Sequence, residues 1–156
     1  MHVTYAFHCM KRDFPDRPIV GVGAVIINQD RAVLVRRGGE PLAGEWSVPG
    51  GAVELGETLR SAAEREALEE TGLRVKASEV LDVFDSIWSP DEHQGKPQYH
   101  YVLIDFLCEL ISGELQAGSD AAEVRWITKE ELRTMPLRES IAQVIQKGFS
   151  LAAKRR

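Results

Sequence analysis

The sequence predicts an α/β fold in which a mixed β-sheet lies between helices, and three observations support this prediction. Residues 19–27 are apolar on both alternating faces, as in a strand that is covered on both sides. The second half of residues 51–73 has the length and composition of one helix, for which Thr58 is a plausible N-cap and Gly72 is placed to end it. The predicted elements follow in the order strand, hairpin, helix, further strands and helix, which favours a sheet covered by helices.

Length and composition limit the classes of protein to consider. The chain has 156 residues, the length of one domain, with 44% hydrophobic and 28% charged residues, as in a soluble globular protein. It has no apolar run of about 18 residues and no signal-peptide segment, so we expect no membrane contact and a cytoplasmic protein. Cys9 and Cys108 lack a paired spacing, which favours a reducing compartment. The net charge of −5 argues against nonspecific nucleic-acid binding.

The N-terminal residues 1–17 mix aromatic, His, Cys and charged side chains without a clear period. We expect them to form an arm, with an edge strand as one option, ahead of a single domain over residues 18–156. A zinc ribbon is not expected in the arm, because its one Cys and two His residues (Cys9, His2 and His8) fall short of the four ligands that such a site needs.

The remaining predicted strands are less uniform. Residues 32–37 return as a second strand after a turn at residues 28–30, and residues 75–88 form either two short strands or one bent strand. Residues 99–110 are the clearest strand, and Cys108 lies in its continuous apolar face, where a core residue is expected rather than a nucleophile. Further predicted elements are a strand at residues 124–127, a short helix at 129–134 and a helix with an apolar stripe at 140–153.

Three glutamates share one face of the first predicted helix with small apolar residues. If Glu66 is set at zero on a helical wheel, Glu70 lies at about +40° and Glu69 at about −60°, with Ala62 and Ala63 on the same side. Like charges at this spacing repel, more strongly when buried, and a divalent cation that prefers oxygen ligands removes the repulsion. A solvated acidic face would explain glutamates that point outward but not these, so the pattern predicts a metal site.

The spacing around these glutamates forms a signature. Five residues separate Gly51 from Glu57, and seven more separate Glu57 from the run Arg65-Glu66-Ala67-Leu68-Glu69-Glu70-Thr71-Gly72-Leu73. This pattern resembles the Nudix box of the Nudix hydrolase family, which includes MutT-like proteins and ADP-ribose pyrophosphatases. Every fixed position matches, and only Ala67 is smaller than the aliphatic residue usual there. The resemblance implies a Nudix-type α/β/α sandwich and Mg²⁺-dependent hydrolysis of a nucleoside diphosphate linked to another group, with Mn²⁺ as an alternative ion.

The resemblance also implies roles for acidic residues. Glu66, Glu70 and the Gly50 carbonyl oxygen are expected to hold Mg²⁺, with Glu69 on a further ion or on water. Glu69 is the first candidate for the general base. Asp120 and Glu123 come second, because many members carry an extra carboxylate before the corresponding strand; a solvated acidic loop is the alternative. Asp120 has a shorter side chain than the usual Glu, which weakens the case for direct ligation.

Substrate contacts are expected from residues that precede the box. Arg36 and Arg37 are adjacent in a strand and face opposite ways, so at most one points into a given pocket. An arginine here often meets substrate phosphate in the family; Arg37 is the candidate for this role, and surface charge is an equally open alternative. Trp46 is either a core residue or a wall on which the base stacks. Glu57 and Arg65 are expected to pair, and the resemblance makes that pair structural.

These residues support three functional hypotheses. The first is an enzyme that cleaves ADP-ribose or a related nucleotide sugar, and Pro90, which lies near where such members tend to carry a proline, adds slight support. The second is a (deoxy)nucleoside triphosphate pyrophosphohydrolase. The third is a nucleotide-sensing domain without turnover, which the intact box and the length of the chain disfavour. The expected partner is a small-molecule nucleotide, and a homodimer is compatible with the sequence.

Overall fold

The computed structural model describes residues 11–40, 42–90, 95–118 and 120–155. Its elements, in chain order, are β1 (Ile19–Asn28), β2 (Arg31–Arg37), β3 (Trp46–Ser47), β4 (Gly50–Ala52), α1 (Leu59–Thr71), β5 (Arg74–Trp88), β6 (Tyr99–Ser112), β7 (Ala121–Thr128), α2 (Lys129–Leu132) and α3 (Glu139–Lys154). Most of the predicted arm, residues 1–10, lies outside the described residues, and residues 11–18 contain no strand. No helix of the described ranges is long and apolar enough to cross a membrane.

The seven strands form one mixed sheet that opens near its centre. β1 runs parallel to β6, which pairs antiparallel with β5. On its other side β1 pairs with β2 only next to the turn, at Ile27 and Asn28, and pairs with β4 at residues 21–23. β2 in turn pairs with β3 and with β7. Because β1 and β2 diverge after their turn, the segment β3–β4 passes between them and leads the chain into α1 from the middle of the sheet.

Each face of the sheet is covered by a helix, as predicted. The face that α1 covers, here called the α1 face, packs Val22, Ala24, Ile26, Ile104, Phe106 and Cys108 against Ala62, Ala63 and Ala67 of the helix. The opposite face, here called the α3 face, packs Val25, Ile27, Leu34, Val48 and Leu107 against Val144, Ile145 and Phe149. The α/β/α sandwich with a mixed sheet is therefore confirmed, with a separate apolar core on each side.

Helix α1 begins and ends where the sequence predicts. Thr58 caps its N-terminus by accepting a hydrogen bond from the backbone N–H of Ser61 at 3.2 Å. Gly72 follows the helix in the left-handed conformation, with φ of 73°, and donates its N–H to the carbonyl of Leu68 at 2.9 Å. The alternatives for residues 75–88 are also resolved: β5 is one strand, and register shifts at Ala77, Val80 and Asp82 bend it.

Cys108 lies in the core, as its position in the apolar face of β6 predicts. The side chain is completely buried, and burial raises the pKa of its thiol to about 12. A thiol of this kind is neither ionised nor accessible at neutral pH, so it serves packing and not nucleophilic chemistry.

We expect Cys108→Ala to lower the free energy of unfolding by about 1–2 kcal/mol, because it leaves a small cavity, and to leave the expected hydrolytic activity unchanged. Thermal unfolding and a turnover assay on the same samples check this. Cys108→Ser, which buries a hydroxyl in the same apolar row, should cost at least as much stability. A selective loss of rate with an unchanged melting temperature would contradict the assignment.

Asp105 is an acidic side chain buried in the sheet. It is 3% exposed on the α3 face of β6, and its Oδ2 atom has no hydrogen-bond partner among the described residues. Burial raises its pKa to about 6; the charge of Asp82 adds to this increase, whereas Lys147 opposes it. Gly23 of the neighbouring strand provides the space, because a Cβ atom there would collide with the Asp105 carboxylate.

The raised pKa of Asp105 makes the folded protein less stable as the pH rises. The unfolded chain loses the Asp105 proton near pH 3.8 and the folded chain near pH 6, so stability falls as the pH rises between these values. The difference corresponds to roughly 3 kcal/mol at most. Asp105→Asn should therefore melt at nearly the wild-type temperature at pH 4 and several degrees higher at pH 8. Calorimetry across this range, with the exposed Asp85→Asn as control, tests it; a difference that does not change with pH would argue against it.

Candidate active site

Two carboxylates of α1 point back at the backbone of β4. The side chain of Glu66 is 13% exposed and lies so close to Gly51 that a Cβ atom there would be 2.5 Å from its carboxyl carbon. One turn further along, Glu70 accepts a hydrogen bond from the backbone N–H of Gly50 at 3.2 Å between N and Oε2. The absence of a side chain at Gly51 therefore allows the Glu66 carboxylate to lie against the peptide backbone of β4, while Glu70 reaches that backbone through the N–H of Gly50.

The surroundings of these carboxylates favour their protonated forms. Burial raises the pKa of Glu70 to about 7; the charges of Glu66 and Asp120 add to the increase, and the Gly50 N–H and Arg37 oppose it. Burial also raises the pKa of Glu66, although its contact with Arg65 acts in the opposite direction. Each ionised carboxylate therefore gains less from its partners than it loses by leaving water. A cation bound between them would remove this cost.

Arg65 of α1 binds the loop at residues 52–57 that precedes the helix, as predicted for the Glu57–Arg65 pair. Its Nε and Nη2 atoms donate to the two oxygens of Glu57 at 2.7 and 3.0 Å, and Nη2 also donates to the carbonyl of Ala52 at 3.2 Å. Nη1 reaches Glu66 at 2.8 Å and Glu69 at 3.2 Å. The Glu57–Arg65 pair is thus confirmed as a structural contact, and the same guanidinium also orients carboxylates on the helix.

Glu69 and Asp120 stand at the edge of this group. The Glu69 side chain is 58% exposed and touches Arg65 with one oxygen. Asp120 is exposed just before β7, and its charge acts on Glu70. Its backbone carbonyl accepts a hydrogen bond from Gly38 at 3.1 Å, which fixes the chain at this point to the end of β2.

The other predicted residues divide between the two faces of the sheet. Arg36 lies on the α3 face, where its Nη2 atom is 3.2 Å from Glu123 and its guanidinium carbon is 5.9 Å from the centre of the Trp46 ring. Arg37, the next residue, lies on the α1 face and lowers the pKa of Glu70. The charges of Arg37 and Asp120 therefore act on Glu70, whereas Glu123 and Trp46 contact Arg36 on the α3 face.

The donors present suit a hard cation, although they do not form a closed cage. In the described ranges no three acidic, His or Cys side chains converge closely enough to hold a metal ion. Mg²⁺ is usually held by one or two carboxylates, with water and substrate phosphate completing its six ligands. Glu66 and Glu70, inward-facing and poorly compensated, fit that pattern.

Sequence reasoning did not foresee how the segment between β6 and β7 meets the helix. Gln116 and Gly118 donate their backbone N–H groups to the carbonyls of Thr71 and Glu70, each at 2.9 Å. These contacts use main-chain atoms, so they leave no pattern of side-chain types along the sequence. A glycine shortly before the acidic pair at positions 120 and 123 is the one signal that could have suggested a close approach.

The sequence and the fold of the chain are similar to those of known Nudix hydrolases. The chain is similar to an ADP-ribose pyrophosphatase of Methanocaldococcus jannaschii, with 38% identity over 115 residues, and the match covers 74% of this chain and 64% of that protein. Among solved structures it is similar to a MutT Nudix hydrolase of Burkholderia pseudomallei, with 29% identity, a TM-score of 0.67 and coverage of 85% and 98% of the two chains. An ADP-ribose pyrophosphatase of Streptococcus suis gives 26% identity, a TM-score of 0.65 and coverage of 90% and 94%.

The NUDIX domain model matches residues 17–148, which include the whole sheet, both covering helices as far as residue 148 of α3, and every candidate site residue named above. From this match, the box and the sandwich fold, we conclude that the chain belongs to the Nudix hydrolase family.

Proposed function

We propose that this chain hydrolyses the diphosphate linkage of a nucleoside diphosphate joined to another moiety, with ADP-ribose or a related nucleotide sugar as the preferred substrate. One observation carries the proposal: Glu66 and Glu70 are turned inward against the bare backbone of Gly50 and Gly51, where their charges are costly without a cation. Substrate phosphates are the natural partners of a cation held in this way.

Glu66, Glu70 and the carbonyl oxygen of Gly50 are the residues that would hold Mg²⁺. When bound, the ion would neutralise the charge that builds on the leaving phosphate and lower the pKa of a water molecule. Arg65 keeps Glu66 oriented toward β4 through its 2.8 Å contact, and the Glu57 carboxylate in turn holds Arg65. Arg37, on the same face as Glu70, is the better candidate to bind a substrate phosphate.

A carboxylate must then take the proton of the attacking water. Glu69 is our first choice, because it is the most exposed of the three helix carboxylates and only one of its oxygens contacts Arg65. Asp120 is the second, since its charge acts on Glu70 from the adjoining segment. Glu123 is a weaker candidate because Arg36 binds it on the α3 face. Trp46, with Arg36 over its ring, remains a candidate surface for the base on that face.

The choice of ADP-ribose rests on relatives and not on a pocket of the chain. The archaeal and streptococcal proteins described above are named ADP-ribose pyrophosphatases, and the chain spans just under two thirds of the archaeal one. The second candidate is a nucleoside triphosphate, which the likeness to a MutT hydrolase favours. A sensing domain without turnover is the third, and the complete set of box carboxylates argues against it.

A substrate panel with Mg²⁺, read by mass spectrometry of the phosphate-containing products, tests the proposal. ADP-ribose, UDP- and ADP-sugars, and the common ribo- and deoxyribonucleoside triphosphates should be included. Release of AMP and ribose 5-phosphate from ADP-ribose supports the preferred substrate, whereas release of pyrophosphate from a triphosphate supports the second candidate. Binding of these nucleotides without any product would instead favour the sensing domain.

We expect Glu70→Gln and Glu69→Gln each to remove most turnover, by about 100-fold or more in kcat, while both proteins remain folded. Glu70→Gln loses a charged ligand, and Glu69→Gln loses the favoured proton acceptor. Glu64→Gln is the matched control: it lies on the same helix but contacts the Ala77 N–H and Lys76. Near-normal rates for both site variants at saturating Mg²⁺ would refute the assignment.

A further inference from the structure

The segment that carries Asp120 is attached to the C-terminal end of α1 through main-chain contacts. We call residues 113–120 the β6–β7 segment; it is described except at position 119. The N–H of Gly118 donates to the carbonyl of Glu70 at 2.9 Å, and the N–H of Ala121 donates to the carbonyl of Gly118 at 3.2 Å. Gly118 is thus hydrogen-bonded to Glu70 of the helix through its N–H and to Ala121 at the start of β7 through its carbonyl. Asp120 lies between Gly118 and Ala121 in the chain.

No side chain fits at Gly118. A Cβ atom there would be 2.9 Å from the carbonyl carbon of Glu69, 3.1 Å from the Cα atom of Glu70 and still closer to the carbonyl oxygen of Glu69. All of these are backbone atoms of α1, so they cannot rotate away as the end of a long side chain can. The helix and the segment would have to separate by roughly 1 Å or more to restore ordinary contact distances.

Such a separation would act directly on Asp120. The carbonyl of Asp120 is bonded to the Gly38 N–H at 3.1 Å, and Arg37 pairs with Ala121, so the far side of the segment is fixed to β2. Gly118 is therefore fixed to α1, and Asp120, two residues later, is fixed to β2. Widening the gap at Gly118 moves either Asp120 away from Glu69 and Glu70 or the end of the helix away from β4.

We propose that Gly118 is a positioning residue for the hydrolysis reaction: its missing side chain lets the β6–β7 segment lie directly on the backbone of Glu69 and Glu70, and this contact holds the Asp120 carboxylate at the metal-binding end of α1. The inference rests on the proposed function, because it assigns Asp120 to that same site. Asp120 then adds a carboxylate from outside the helix to those of Glu66, Glu69 and Glu70, and the contact at Gly118 sets how far the Asp120 carboxylate lies from them.

A double-mutant cycle between Gly118→Ala and Asp120→Asn tests the proposal. We expect Gly118→Ala to lower kcat by about 10- to 100-fold with little change in KM, because a displacement of this size misplaces a reacting group. In the Asp120→Asn background the same change should have almost no further effect on kcat, although it should lower the melting temperature equally in both backgrounds. Gly39→Ala is the matched control, since a Cβ atom there would meet nothing within 4 Å.

Binding of Mn²⁺, followed by calorimetry without substrate, gives a second readout. Both Gly118→Ala and Asp120→Asn should weaken Mn²⁺ binding by about tenfold, as loss of a supporting group near a metal usually does, and Gly39→Ala should not. If the wild-type chain cleaves nothing in the substrate panel, the proposed function fails, and the Mn²⁺ titration alone still decides whether Gly118 positions Asp120.

Three results would overturn the inference. One is wild-type kcat and Mn²⁺ affinity in folded Gly118→Ala, another is wild-type behaviour of Asp120→Asn, and the third is an equal loss of kcat from Gly118→Ala in both backgrounds. If Gly118→Ala does not fold, Gly38→Ala replaces it, because its Cβ atom would press on the Asp120 carbonyl at 3.0 Å from the β2 side. The same dependence on Asp120 is then expected, with a smaller loss.

Discussion

Glu66 and Glu70 of α1 lie against the glycine backbone of β4, and the contacts around the candidate site serve to hold them there. Glu66 and Glu70 lose much of their contact with water, and in return each gains little: one arginine contact for Glu66 and one N–H bond for Glu70. Burial outweighs these gains, which is why both pKa values are raised. An arrangement that is locally unfavourable and yet surrounded by specific supports, such as Gly51 and the Arg65–Glu57 pair, is typical of a functional site.

Much of the fold could be predicted because its signals are local. The cap at Thr58, the left-handed Gly72 and the apolar face around Cys108 each follow from residues close together in the sequence, and the structure has all three. The Glu57–Arg65 contact could be predicted from the family pattern. These features depend on the period of a helix or strand, which side-chain types record directly.

The position of the site residues on the two faces of the sheet could be predicted only in part. Alternation requires that Arg36 and Arg37 face opposite ways, but which of them faces Glu70 depends on the register of β2 with β3 and β7. Asp120 and Glu123 are near neighbours in sequence, yet Glu123 lies in β7 and pairs with Arg36 of β2, while Asp120 precedes β7. The β6–β7 segment contacts α1 through its backbone, so the glycine at position 118 is the only hint in the sequence of this contact.

The parallel pairing of β1 with β6 also constrains when the site can form. β1 and the box helix come early in the chain, but β1 acquires its neighbour only when residues 101–109 are available. Ile104 and Phe106 of β6 also complete the core beneath α1. The core that holds α1 in place therefore depends on residues far later in the chain, and we expect the site to be completed only with the long-range pairing of β1 and β6.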